Sequence, residues 1–238
     1  KANEANAYNN IGNVYKAHGL FDQALKNNYA AIKIRQEIND SSAIAASFLN
    51  IGNVYLRLND LDKAKEYYLK SLAYFKVLDN QFGIASTTHN LALILEDLGE
   101  YESAFKQYSI ALENYKKLDR KKQIAKTLNN MANNLLILEK PDLAKLYLDS
   151  ALTMYNEIKD STGIASAEEN LGIYYIQTGQ YDKAEEILKD SYSLSRIRNL
   201  GKKEIETTKL LSELYALKND HKYAYTYFLL SDSIRSEV

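Results

Sequence analysis

Six alanines, Ala24, Ala64, Ala104, Ala144, Ala184 and Ala224, stand forty residues apart along the whole chain. A second series keeps the same step: Asn10, Asn50, Asn90, Asn130 and Asn170, with Leu210 in the sixth slot. A fixed period between about 20 and 50 residues marks an array of supersecondary units that bury their apolar faces by stacking on one another. The 238 residues therefore read as one domain, 1–238, with units of approximately 1–40, 41–80, 81–120, 121–160, 161–200 and 201–238. An array offers a partner a surface rather than an enclosed pocket.

Within each unit the residues repeat a helical pattern. A small residue recurs at Gly12, Gly52, Ala92, Ala132, Gly172 and Ser212, preceded each time by an apolar one. Three positions on comes a large residue: Tyr15, Tyr55, Leu95, Leu135, Tyr175, Tyr215. Spacings of three and four put these on one helical face, and the small residue admits a neighbouring helix. This first helix, A, is expected to end at Gly19, Asn59, Gly99, Gly179 and Asn219, residue types that suit a left-handed closing position; Glu139 breaks the series. A second helix, B, follows, with an acidic residue in its first turn and the alanine of the forty-residue series. Pro141 falls in the first turn of the fourth B helix, where a missing N–H costs little. Polar breaks such as Asn39-Asp40-Ser41 and Asp160-Ser161-Thr162 separate the units and can cap the next helix. The expected fold is all-α, twelve helices in six antiparallel pairs.

Composition excludes several classes of function. Lys and Arg number 30 against 31 Asp and Glu, so the chain is nearly neutral. No electrostatic argument then favours nucleic acid or an anionic membrane, and Arg120-Lys121-Lys122 reads as a solvated helix start. Most of the 20 tyrosines fall at packing positions. There is no cysteine, hence no disulfide or thiolate metal site. No apolar run approaches the roughly 18 residues of a membrane span, so no membrane insertion of this segment is expected. The three histidines lie far apart, and no nucleophile elbow, zinc motif or phosphate-binding loop occurs. Glu168-Glu169 and Glu185-Glu186 are adjacent carboxylates that point apart on a helix and read as solvated or groove-wall charges. No enzyme, cofactor or metal is expected. The chain starts at Lys1 without a signal pattern and reads as an excised or processed segment.

These positions resemble the tetratricopeptide repeat. The likeness is clearest in Asn50-Ile51-Gly52-Asn53-Val54-Tyr55 with Leu61-Asp62-Lys63-Ala64, and in Asn170-Leu171-Gly172 with Gly179-Gln180-Tyr181-Asp182-Lys183-Ala184. It covers essentially the whole chain. The ordinary repeat is about 34 residues long, so each unit here is longer, with the extra residues expected around the B-to-A junction. Unit four departs most, at Asn134, Glu139 and Pro141. The resemblance implies a right-handed α-α superhelix (solenoid) of six helix pairs, with helix A lining a concave groove.

Carried onto this chain, the resemblance places Asn10, Asn13, Asn50, Asn53, Asn90, Asn130, Asn133, Asn170, Leu93 and Ile173 at a peptide-binding groove, with Asn9, His89, Asn129 and Glu169 also on its face. A carboxamide has both a donor and an acceptor and can pair with both groups of an extended peptide unit. Helices about 8–10 Å apart would offer one asparagine for roughly every three ligand residues at about 3.3–3.6 Å each. The same asparagines would equally serve to bridge neighbouring A helices, and the residues leave both readings open. Leu93, Leu136, Ile137, Ile173 and Ile176 form a candidate apolar floor, or pack between helices.

The resemblance implies a non-catalytic protein- or peptide-binding module, the sensory or scaffolding segment of a larger bacterial signalling protein. The alternatives are a free-standing adaptor that assembles a complex, and a receptor for a short extended peptide. The last helix carries Tyr223, Tyr225, Tyr227 and Phe228 with no solvating helix after it, which leads to an expectation of self-association through the C-terminal end. Compartment is not legible.

Overall fold

The computed structural model describes residues 1–237. Among them the regular structure is entirely helical: α1 Ala2–Ala17, α2 Phe21–Glu37, α3 Ser41–Arg57, α4 Leu61–Val77, α5 Gln81–Asp97, α6 Tyr101–Lys117, α7 Lys121–Ile137, α8 Pro141–Glu157, α9 Ser161–Gln177, α10 Tyr181–Ile197, α11 Gly201–Leu217 and α12 His221–Glu237. Consecutive helices form six antiparallel pairs, as the periodicity predicts.

The local period is twenty, half the sequence repeat. α1 has 16 residues and every later helix 17, and each of the first eleven closes on a left-handed residue, alternately at the A-to-B and B-to-A turns. The A-to-B series is Gly19, Asn59, Gly99, Glu139, Gly179 and Asn219; the B-to-A series is Asn39, Asp79, Asp119, Lys159 and Asn199. Two expectations are corrected here. Glu139 does not break the turn series, because it takes φ 55° like its counterparts. The extra residues of each unit do not form a longer junction either. They extend the helices, and both kinds of turn are equally short.

Several turns end on a side-chain cap. Asp40, Asp60, Asn80 and Asp160 each accept from the backbone N–H three residues on, satisfying one of the orphan donors of a helix start. Pro141 stands at the first position of α8, where its missing N–H has no intrahelical partner to lose.

The described residues divide into two compact units, residues 1–119 and 120–237. In the first, α1–α2, α3–α4 and α5–α6 are the hairpins; α1, α3 and α5 are successive neighbours, and α2 and α4 each pack on the next A helix. The second repeats the plan with α7–α8, α9–α10 and α11–α12. The alanine series explains this closeness: Ala24, Ala64, Ala104, Ala144 and Ala184 have no exposed surface. The small A-helix residues do the same from the other side. A Cβ on Gly52 would stand 2.5 Å from the Tyr68 ring, and one on Gly172 2.5 Å from Leu188. In the first unit Ala64, Tyr68, Leu72, Leu91 and Ile94 make a continuous cluster. In the second Ala184, Leu188, Leu211, Leu214 and Tyr215 do so.

In unit four the irregular Asn134 and the candidate floor residue Leu136 are accommodated inside. Asn134 and Leu136 are both buried, so Leu136 belongs to the core and not to an apolar floor. Ile137 is exposed, whereas Leu93, Ile173 and Ile176 are half-buried.

Candidate functional site

The asparagines of the forty-residue series link neighbouring A helices. In the first unit Asn50 Nδ2 donates to Asn9 Oδ1 at 2.9 Å, joining α3 to α1, and Asn90 Nδ2 donates to Asn53 Oδ1 at 3.0 Å, joining α5 to α3. Asn53 Oδ1 also accepts from the Tyr68 hydroxyl at 2.8 Å. In the second unit Asn170 Nδ2 donates to Asn129 Oδ1 at 3.1 Å, joining α9 to α7. Each of these bonds uses one N–H of the asparagine in the series. Asn50, Asn90 and Asn170 stay half-buried, so the bridges lie at a surface that solvent reaches.

The first-unit face holds six of the ten sequence-predicted residues, Asn10, Asn13, Asn50, Asn53, Asn90 and Leu93, all at accessible positions. Asn10 is exposed, and Asn13, half-buried, accepts from Lys16 Nζ at 3.3 Å. Burial and the Arg57 cation hold Lys16 below the usual lysine range. Leu93 is half-buried on α5 beside the bridging face, while His89, expected to face the groove, is buried with its ring edge-on to Tyr108. Nearby, Arg35 is buried and spans α1 to α3: Nη2 donates to Asn6 Oδ1 at 2.9 Å, and Nη1 to the Ala43 carbonyl at 3.0 Å and to Ser47 Oγ.

The second unit brings four of the predicted residues into one cleft. Asn130 and Asn133 from α7 and Asn170 and Ile173 from α9 line a cavity of about 440 Å³ whose third side is α11. The α11 residues Lys203, Glu206, Lys209, Leu210 and Glu213 complete it. The sequence reading placed none of these at the site, Leu210 being noted only as the residue in the sixth slot of the asparagine series. The repeat itself could have found three of them, since Glu206, Lys209 and Glu213 lie forty residues after Ser166, Glu169 and Ile173 of the same wall.

An ion pair lies in the wall of this cleft. Lys203 Nζ donates to Glu169 Oε2 at 2.8 Å, and Thr207 Oγ1 donates to Glu169 Oε1 at 2.8 Å. Lys203 also pairs with Glu206 on its own helix. Glu169 is 5% exposed and lines the cleft, so of the two readings, solvated or groove-wall charge, the solvated one is corrected. Burial pushes its carboxyl up from the usual range, opposed by Lys203 and Thr207. Burial works against the Lys203 cation, but the Glu169 and Glu206 carboxylates outweigh it and hold the amine above its ordinary value.

The neighbouring Glu168 behaves differently. Its Oε2 is buried with no hydrogen-bond partner among the described residues. Burial first, then the Asp190 and Glu169 carboxylates, push it up to about 7. Glu185 of the other adjacent pair is drawn down to about 2 by hydrogen bonds from Lys189, Lys218 and the Tyr215 hydroxyl.

The arrangement offers hydrogen-bonding carboxamides, mixed charge and a few apolar side chains. Among the described residues no cluster of three His, Asp or Glu could hold a metal ion, and no helix is long and apolar enough to cross a membrane. The basic triplet is spent locally, with Lys121 on Glu157 and Lys122 on Asp160.

Family models described as tetratricopeptide repeat match residues 3–76 and 83–157, and a second such model matches 165–203. Among curated proteins no sequence matches significantly. Solved structures do match. The apo form of RapI is 17% identical, with a TM-score of 0.83, over 99% of this chain and 84% of that one. A Rap protein complexed with Competence and Sporulation Factor is 16% identical, TM-score 0.69, over 98% and 75%. Aspartyl phosphate phosphatase F from Bacillus subtilis is 14% identical, TM-score 0.81, over 98% of this chain and 60% of that one. At these identities the likeness is one of fold.

Proposed function

Because the chain belongs to the tetratricopeptide repeat family, we propose that it is a non-catalytic module whose A-helix face holds an extended segment of a partner protein, in the second unit at the cleft between α7, α9 and α11. The observation that carries this is the meeting of Asn130, Asn133 and Asn170 with Ile173 in one cavity of about 440 Å³. Volumes between about 300 and 1,000 Å³ suit a bound ligand. Asn170 spends one N–H on Asn129, which fixes its rotamer and leaves its carbonyl and second N–H for a peptide unit. Bridging a neighbouring A helix and pairing with an extended peptide are thus compatible roles of one side chain. Carboxamides read backbone, whereas Lys209 and Glu213, both exposed at the cleft, would choose the charges of the ligand.

A related fold in complex with a factor, the Rap protein with Competence and Sporulation Factor, supports ligand capture by such an array. It also supports placing the six pairs, as a single module, in the sensory or scaffolding part of a larger bacterial signalling protein. Selection of displayed peptides on the immobilised chain tests the reading. Selected peptides should lose roughly tenfold or more in affinity when Asn133→Ala and Asn170→Ala are combined, in a chain that stays folded at the assay temperature. Peptides indifferent to both substitutions would defeat it.

One observation favours an assembly role as well. Tyr225 is 62% exposed and Phe228 59% exposed on α12, beside Leu229 and Tyr223. Tyr227 instead stacks on Tyr215, centroids 5.5 Å apart. Exposed apolar patches mark interaction sites, and self-association through this end is the corresponding proposal. Solution scattering of the parent chain and of Tyr225→Asp with Phe228→Asp decides it: a monomeric parent at high concentration rejects it.

A further inference from the structure

A second cavity, of about 360 Å³, opens in the first unit between the B helices α4 and α6, over α5. Its walls are mostly aliphatic, including Leu69 and Leu72 of α4, Leu91 and Leu95 of α5 and Ile110 of α6. None of the proposed peptide-binding residues lines it. The repeat explains why the space exists. Forty residues earlier, the groove between α2 and α4 holds Tyr29, Phe48, Tyr55 and Tyr67. Tyr67 stacks on Tyr55 at 5.5 Å, and Tyr29 and Phe48 lie 6.2 and 6.0 Å from it. The corresponding residues of the next groove are Leu69, Thr88, Leu95 and Gln107, all of which line the cavity. Four rings are replaced by smaller or non-aromatic side chains, and the void is what they leave.

Charge enters where the rings are lost. Lys65 and Lys76 line the cavity, and neither makes an ion pair with a described residue. Their counterparts in the filled groove are the neutral Leu25 and Gln36. Along α4 the two lysines are separated by roughly 16 Å at about 1.5 Å per residue, so one stands towards each end of the trough. Aliphatic walls with a few convergent polar groups are the general form of a small-ligand site. A lysine on its flexible stem is a mobile point charge for an anionic head.

We propose that this cavity binds an amphiphilic monoanion, an apolar chain in the place of the missing rings with its carboxylate on Lys65 or Lys76. Calorimetric titration with dodecanoate below its micellar range tests this. One saturable site per chain is expected, with dodecyltrimethylammonium, of equal chain length and opposite charge, binding roughly tenfold more weakly or worse. Thr88→Phe, which restores the ring found at Phe48, should abolish binding while the helical melting transition is kept. Lys65→Glu with Lys76→Glu, both at exposed positions, should weaken dodecanoate roughly tenfold and decides the matter alone if Thr88→Phe fails to fold. No saturable dodecanoate binding, equal binding of the cationic amphiphile, or parent-like binding by the charge-reversed chain would each overturn the proposal.

Discussion

Lys203 of α11 donates to the carboxylate of Glu169 of α9 at 2.8 Å, where Glu169 is 5% exposed and Lys203 keeps about a fifth of its side chain in solvent. The pair ties two A helices together in the wall of the second-unit cleft. Removing the cation strands the anion, because the buried carboxylate then has only Thr207 and one less favourable option, protonation. Lys203→Met is expected to destabilise the chain by about 3 kcal/mol at pH 7, and by clearly less at pH 4, where Glu169 can take a proton. Urea unfolding at the two pH values measures this. An equal loss at both would show that packing of the lysine stem, not charge, holds the helices.

Glu168 gives a second, opposite pH dependence. Its folded-state value, about 7, lies above the ordinary 4.5, so the folded chain binds a proton that the unfolded chain releases. Its contribution is favourable below the ordinary value, and it is lost as pH rises from about 4.5 through about 7. Glu168→Gln should therefore stabilise the chain at pH 8 by about 1–2 kcal/mol, after discounting for partial exposure. The gain should fade towards pH 4. A gain that does not vary with pH would contradict a titrating origin.

At Glu139 and Lys159 the backbone sits at φ 55°. Left-handed backbone costs an L-residue with a Cβ roughly 1–2 kcal/mol. Glycine pays no such steric cost but loses more chain entropy on folding. Glu139→Gly and Lys159→Gly are each expected to raise stability by a net ~0.5–1 kcal/mol. Thermal melting of the single and double variants checks this, and additivity is expected because the sites lie at opposite ends of α8.

The Asn170–Asn129 bond should be measurable as a coupling. A double-mutant cycle with Asn170→Ala and Asn129→Ala is expected to return about 0.5–1.5 kcal/mol. A coupling near zero would leave the asparagine series without a structural role, and its persistence through the units would then rest on ligand binding alone.

Much of this was legible because it is periodic. Ala64 and Gly52 announce helix contacts in any array, since only small residues let two backbones approach, and Asp40 and Asp160 announce helix starts by their place before an apolar run. Glu139 was misread for a related reason. Its type argues against a left-handed turn, yet the register of α7 and α8 imposes one, and tertiary packing outweighs a cost of about a kilocalorie. Leu136 and Glu169 show the same limit: a helical wheel gives a residue's angle on its own helix, not what lies opposite.

The sequence by itself determined the twelve helices, their pairing and the face on which the carboxamides stand, because these follow from spacing along one chain. Only the tertiary structure decided that Asn170 spends one N–H on Asn129, that Glu169 is sealed by Lys203, and that the groove beside Thr88 is empty while the one beside Phe48 is full. Those outcomes depend on the volumes and charges that neighbouring helices bring to one point, which no single unit of the repeat contains.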